Sequence, residues 1–263
     1  MNLNGRSVLL TGATGGLGPA IAERLHGAGA QLTLTGRRLE VLEPLAVRLG
    51  ATALAADLGD PADVAHLAES CAQTDVLVAN AALPGSGDIL GLSVEEIDRA
   101  LAVNLRSPIV LSRLLAEQMT ARGSGHIVLI SSLAGRSAHA GGSLYSATKF
   151  GLRGFGQALR ADLKGTGVGV SVIFPGFIRD AGMFHDSGTK LPSFVGTSSP
   201  DEVAQAVIRA IEDDRGEVTV APLGMRAGAK LAELAPATAA RAAAKLGGQA
   251  VAEQLREAQR DHN

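Results

Sequence analysis

Short apolar runs alternate with longer stretches of helical spacing from the first residues to about Ala221, and no other feature limits the fold so tightly. The runs SVLLT (Ser7–Thr11), QLTLT (Gln31–Thr35), ATALAADL ending near Asp57, DVLVAN (Asp75–Asn80), HIVLISS (His126–Ser132), VGVSVIFP (Val168–Pro175) and EVTVA (Glu217–Ala221) read as strands. Helical patterns separate them: Pro19–Gly29, Leu39–Leu49, PADVAHLAES with proline in its first turn, Ser93–Met119, Ser143–Leu163 and DEVAQAVIRAIED. The Ser93–Met119 stretch opens on a Ser-x-x-Glu capping box and is expected to run as one long helix. Near-continuous apolar strands are buried on both faces, which a parallel sheet under two helical layers requires. Right-handed crossovers then give a doubly wound α/β sheet of about seven strands.

No linker or internal repeat divides this region, so residues 1–222 read as one domain, and residues 223–263 as a helical extension. The extension is rich in Ala and Arg, with leucines at Leu231, Leu234, Leu246 and Leu255. It is expected to pack on the domain or on a second subunit. Its largely alanine face inserts poorly into lipid, so membrane contact is not expected. Hydrophobic residues make up 46% of the chain, ample for a large core. The 24 basic and 26 acidic residues are interspersed, which argues against a nucleic-acid partner. The lone Cys71 and an N-terminus without signal-peptide character fit the cytoplasm. Six scattered His residues lack ligand spacing, so no metal is expected.

Three motifs carry chemistry. TGATGGLG (Thr11–Gly18) follows the first strand and opens the first helix. Gly12, Gly16 and Gly18 permit a tight turn and a close approach of pyrophosphate to the helix N-terminus. TGRRLE follows the second strand, where an acidic residue would bind the free ribose 2′-hydroxyl of NAD. Arg37 and Arg38 stand there instead, and two guanidiniums suit the 2′-phosphate of NADP. In YSATK, Tyr145 is the only tyrosine of the chain, and Lys149 lies one helical turn on. A nearby ammonium is expected to lower the phenol pKa toward neutrality.

With these residues in order, the chain resembles the short-chain dehydrogenase/reductase family of classical type. The resemblance covers residues 1 to about 222. It rests on TGATGGLG, Asp57–Leu58, Asn80-Ala81-Ala82, Asn104, Ser132 placed 13 residues before Tyr145, YSATK, and Pro175–Gly176. It implies a Rossmann-type sheet of order 3-2-1-4-5-6-7. It also implies hydride transfer between NADP(H) and a carbonyl/alcohol pair, with Tyr145 as general acid or base. Ser132 would orient the substrate oxygen. Lys149 would bind the nicotinamide ribose, and Asn104 would hold a water for proton resupply. Gly12, Thr14, Gly15, Gly16, Leu17 and Gly18 would cradle the pyrophosphate, with Asn80 and Ala81 beside it. Asp57 and Leu58 would meet the adenine, and Pro175, Gly176 and Ile178 would flank the nicotinamide. Homodimers or homotetramers through the two long helices are implied, aided by Gly151, Gly154 and Gly156.

Ala82 and Asp180 depart from the family pattern, which usually has glycine and threonine there. A lid over about residues 180–199, carrying Met183, Phe184, Leu191, Phe194 and Val195, suggests a substrate with an apolar body. A 3-oxoacyl thioester reductase shares every motif, and Arg136, Arg153 and Lys190 are candidates for its basic entrance patch. A non-catalytic NADP-binding sensor or scaffold is the non-enzyme alternative.

Overall fold

The computed structural model describes residues 1–85, 87–181 and 196–245. Seven strands form one sheet: β1 (Ser7–Thr11), β2 (Gln31–Gly36), β3 (Thr52–Ala55), β4 (Val76–Ala79), β5 (Gly125–Ile130), β6 (Val168–Pro175) and β7 (Glu217–Val220). All neighbours are parallel, in the order β3-β2-β1-β4-β5-β6-β7. Successive strand residues point to opposite faces and build two cores. Val8, Leu10, Val76 and Val78 belong to one core, which is covered by α1 (Gly18–Gly27), α2 (Leu39–Arg48) and α7 (Pro200–Glu212). Leu9, Leu77, Ile127 and Leu129 belong to the other. Its cover is α3 (Pro61–Ser70), α5 (Ser107–Ala121) and α6 (Ser143–Asp162). Each fully buried Leu or Val contributes about 1.5–3 kcal/mol, so these strands hold their register firmly.

The strand order reverses between β1 and β4, and a crevice opens beyond the carboxyl ends of the strands at that point. The elements facing it differ from sequence expectation in one place. Ser93–Met119 is not one helix. The capping box of Ser93 and Glu96 starts α4 (Val94–Leu101), a π-helical turn follows at Ala102–Arg106, and α5 continues. Two causes act there. The Asn104 side chain is drawn into bonds with the Leu83 backbone, and Pro108 supplies no N–H to the following turn.

Two of the three α6 glycines pack within this chain. A methyl at Gly151 would lie 2.8 Å from Leu105, and one at Gly156 2.4 Å from Val172. Both therefore let α6 approach its own chain; of the three, only Gly154 faces open space. Beyond β7 the chain forms α8 (Leu223–Leu234) and α9 (Pro236–Lys245). No helix among the described residues is long and apolar enough to cross a membrane. The lid residues Met183, Phe184, Leu191, Phe194 and Val195 lie outside the described residues, as do Lys190, Leu246 and Leu255.

Candidate active site

A cleft of about 960 Å³ runs along the carboxyl ends of the strands. Its floor at one end is the turn from β1 into α1. Gly12 there has φ +64°, and a methyl on it would stand 2.7 Å from the Ala81 Cα. A methyl on Gly18 would stand 2.3 Å from the Gly12 carbonyl oxygen. Gly18 is therefore buried beneath the turn, while Gly12, Thr14, Gly15, Gly16 and Leu17 line the cleft. Ala13 N–H donates to the Thr35 carbonyl at 3.1 Å, and Asn80 donates from Nδ2 to the Thr11 and Gly12 carbonyls at 3.1 and 3.0 Å. Asn80 thereby fastens the end of β4 to the glycine turn, and Ala81 and Ala82 continue along the wall. The extra methyl of Ala82 is accommodated there.

The electrostatics of this turn suit an anion. α3, α4 and α7 each begin with an acidic or hydroxyl side chain capping the first N–H groups. α1 has no side-chain cap and no acidic residue in its first turn. Its N-terminal N–H groups and dipole are thus presented to the cleft. The glycine cradle, an uncapped helix start and a cleft of this volume fit a dinucleotide.

Arg37, just past β2, lines the cleft; Arg38 is exposed at the start of α2 and does not. Asp57 and Leu58 line the wall beyond β3. Asp57 is already engaged. Its Oδ1 accepts from Gly59 N–H at 2.9 Å, and Arg99 Nη2 donates to Oδ1 and Oδ2 at 2.8 and 2.9 Å. Burial pushes its pKa up, but these bonds and the charges of Arg99 and Arg37 outweigh that and hold it below the usual value. Arg99, on α4, also lines the cleft. Nothing in its surroundings in sequence distinguishes it from any exposed helical arginine.

At the opposite end stand Ser132, Tyr145 and Lys149, with Pro175, Gly176 and Ile178 nearby on the wall. Ser132 Oγ accepts from Ala134 N–H at 3.2 Å at the start of a 3-10 turn, which directs the hydroxyl. Ser132 hydrogen-bonds Tyr145. Lys149 is only 2% exposed and donates to the Ile130 carbonyl at 2.9 Å, and its Nζ lies 5.5 Å from the Tyr145 ring centroid. The expectation that Lys149 lowers the tyrosine pKa is not met. Burial pushes the phenol up to about 12, only partly opposed by the Ser132 bond. Burial likewise pushes Lys149 down to about 8. Desolvation penalises the charged form of each group.

Asn104 does not line the cleft. It is 1% exposed, accepts from Leu83 N–H at 2.7 Å and donates to the Leu83 carbonyl at 2.9 Å. Its side chain thus fixes the segment after β4, where Leu83 and Pro84 form part of the wall. Asp180 stands at φ +70°, with its exposed side chain 3.5 Å from Arg179 and off the cleft wall; Ala181 lies on it instead.

The remaining wall comes from the extension. Met225, Gly228, Ala229 and Leu231 of α8 and Ala239 of α9 line the cleft. α8 is fastened near its end. Glu233 accepts from Arg136 at 2.6 Å and pairs with Arg153 at 2.8 Å, and the same two arginines pair with Glu217. Gln157 joins Glu217 at 2.7 Å, and the Arg136 guanidinium lies 3.9 Å from the Phe174 ring centroid. Only its glycine and alanine content hinted that the extension could approach a cleft closely.

The comparisons agree with this geometry. A ketoacyl reductase (HetN) of Nostoc sp. is 37% identical over 227 residues, covering 83% of this chain and 79% of that protein. A short-chain dehydrogenase from Sphingobium yanoikuyae, solved in complex with NADPH, aligns with TM-score 0.74 at 29% identity, covering 81% of this chain and 87% of the other. A metagenomic short-chain oxidoreductase solved with NADP aligns with TM-score 0.70 at 32% identity, covering 84% and 97%. The family profile described as short chain dehydrogenase matches residues 6–191. A parallel sheet in this order, a glycine turn at its switch point and a match over most of the chain have one common reading: the chain belongs to the short-chain dehydrogenase/reductase family of oxidoreductases.

Proposed function

We propose that this protein is an NADP(H)-dependent oxidoreductase that interconverts a ketone or aldehyde with its alcohol. One observation carries the reading: Ser132, Tyr145 and Lys149 meet at one end of a cleft whose other end holds the uncapped glycine turn and Arg37. The glycine turn would hold the pyrophosphate, Arg37 the 2′-phosphate, and Lys149 the nicotinamide ribose. Lys149 has two N–H donors beyond the one given to Ile130. Bound NADP(H) supplies or accepts the hydride.

Ser132 would hydrogen-bond the carbonyl oxygen through its O–H, keeping its own proton, and hold that oxygen beside the Tyr145 phenol. With a pKa of about 12, Tyr145 holds its proton throughout the neutral range. It can then give that proton to an oxygen that becomes alkoxide-like and more basic than a phenolate. The Lys149 ammonium stabilises the phenolate left behind. Water for proton resupply would sit at the π-helical turn. The Asn104 side chain is occupied there, so a backbone carbonyl deprived of a helical donor by Pro108 would take that role. Gly228, Ala229, Met225 and Leu231, all without polar side-chain groups, would face the body of the substrate.

The 3-oxoacyl thioester reading draws support from the name of the Nostoc relative. Its basic entrance patch does not: Arg136 and Arg153 are paired with Glu217 and Glu233. A panel of ketones, aldehydes and 3-oxoacyl thioesters, followed by NADPH absorbance, separates these readings. Oxidation of NADPH by some carbonyl compound is expected; silence across the panel with tight NADPH binding would favour a sensor or scaffold. In the same assay, replacing Arg37 and Arg38 together is expected to raise the KM for NADPH by about tenfold or more while leaving NADH nearly unchanged. Equal effects on both would remove the 2′-phosphate assignment. Since Arg37 alone lines the cleft, Arg37→Met should account for most of the change.

A further inference from the structure

The adenosine end of the cleft contains a carboxylate that a 2′-phosphate would not tolerate unaided. β2 and β3 are paired with Gly36 opposite Ala55, and Ala56 N–H donates to the Gly36 carbonyl at 3.1 Å. Arg37 follows Gly36 directly and Asp57 lies two residues past Ala55, so the two side chains flank one corner of the cleft. The reading above places a phosphate of nearly two negative charges beside Arg37. Asp57 is ionised in the neutral range, and its charge would repel that group.

Arg99 reaches this corner from across the cleft. Its Nη2 contacts both carboxylate oxygens of Asp57, at 2.8 and 2.9 Å, and its guanidinium lies over the backbone of Gly59. The pair is about one-third exposed, so solvent screens it only in part.

We propose that Arg99 is a specificity-determining residue: by neutralising Asp57 it lets this corner accept a 2′-phosphorylated cofactor rather than one with a free 2′-hydroxyl. Without Arg99, the charges of Arg37 and Asp57 would cancel along the cleft wall, leaving only the exposed Arg38 outside the wall to draw the phosphate. With it, the corner carries one net positive charge. The inference rests on the NADP(H) reading of the site.

Binding of NADPH and NADH to the full chain, read from the fluorescence of the reduced nicotinamide, tests it without turnover. Arg99→Met is expected to weaken NADPH about tenfold and NADH by no more than about twofold. Arg99→Lys should retain most of the preference, because it keeps the charge. Asp57→Asn in the Arg99→Met background should restore NADPH binding to within about threefold of wild type, because no carboxylate is left to neutralise. The preference lost in Arg99→Met should also shrink as salt is raised. Far-UV circular dichroism and thermal melting confirm that each variant folds.

Equal weakening of both cofactors by Arg99→Met, or no recovery in the double variant, would overturn the proposal and reduce Arg99 to a structural tie between α4 and β3. If Arg37→Met removes the preference while Arg99→Met does not, the Arg99 proposal fails and the 2′-phosphate reading stands. If wild type shows no preference for NADPH, or Arg37→Met leaves the preference intact, both fail together.

Discussion

Tyr145→Phe should reduce carbonyl turnover by about a thousandfold or more while changing the Kd for NADPH by less than about twofold. The substitution removes one oxygen from a side chain that lies on the cleft wall between Ser132 and Lys149. The ring keeps its packing, so the cofactor end of the cleft is left alone. What disappears is the proton donor. On the proposed reading, Ser132 and Lys149 remain to hold the oxygen and the ribose, but the acid is gone. Near-wild-type turnover in the variant would sink the assignment. The pH dependence of kcat/KM for reduction gives a second check, since it reports the free enzyme. The Tyr145 pKa is raised to about 12, so its acid form persists to high pH. That of Lys149 is lowered to about 8, so its ammonium is present below that value and lost above it. Reductive kcat/KM should therefore be flat through the neutral range and fall above about pH 8. A profile level to pH 10 would show that Lys149 does not act through its charge.

Gly12→Ala should weaken NADPH binding by about a hundredfold and lower stability by about 1–3 kcal/mol. Two costs coincide at this residue. Its φ of +64° is strained for any residue with a side chain, and the added methyl would lie 2.7 Å from the Ala81 Cα. Ala81 is backbone held by Thr11 Oγ1 at 3.1 Å, so it cannot give way without disturbing the end of β4. Gly15→Ala is the informative companion, because a methyl there meets nothing within 4 Å. It should melt like wild type, yet still weaken NADPH if the pyrophosphate approaches the turn closely. Denaturant titration with nicotinamide fluorescence separates the two effects. Wild-type NADPH binding by Gly12→Ala would mean that this turn does not receive the cofactor.

What the sequence disclosed and what it hid have a common physical cause. Strand runs and the glycine turn depend on neighbours a few residues away, so periodicity and composition reveal them. The sheet order was implied by the family resemblance; crossover handedness by itself gives only the doubly wound arrangement. The π-helical turn at Ala102–Arg106 depends on Asn104 finding the Leu83 backbone 21 residues away. No local pattern records that pairing, and the Ser93 capping box alone suggested one continuous helix. Arg99 is hidden for the same reason: its partner, Asp57, is 42 residues away. Tyr145 and Lys149 were legible as a pair, but the sign of the tyrosine pKa shift was not. Spacing places an ammonium near a phenol; it cannot report that both have lost their water.

Glu217 and Glu233 give the cleft two ends of different construction. The cofactor end is continuous with the sheet, so altering it means altering the core. On the proposed reading, the substrate end is a helix fastened near its end through Glu233 to Arg136 and Arg153, with Gly228 facing open space. Such a wall can be rewritten residue by residue while the fastening stays in place. Exchanging residues of that wall while the two glutamates and their arginines stay should therefore change which molecules fit without disturbing the glycine turn.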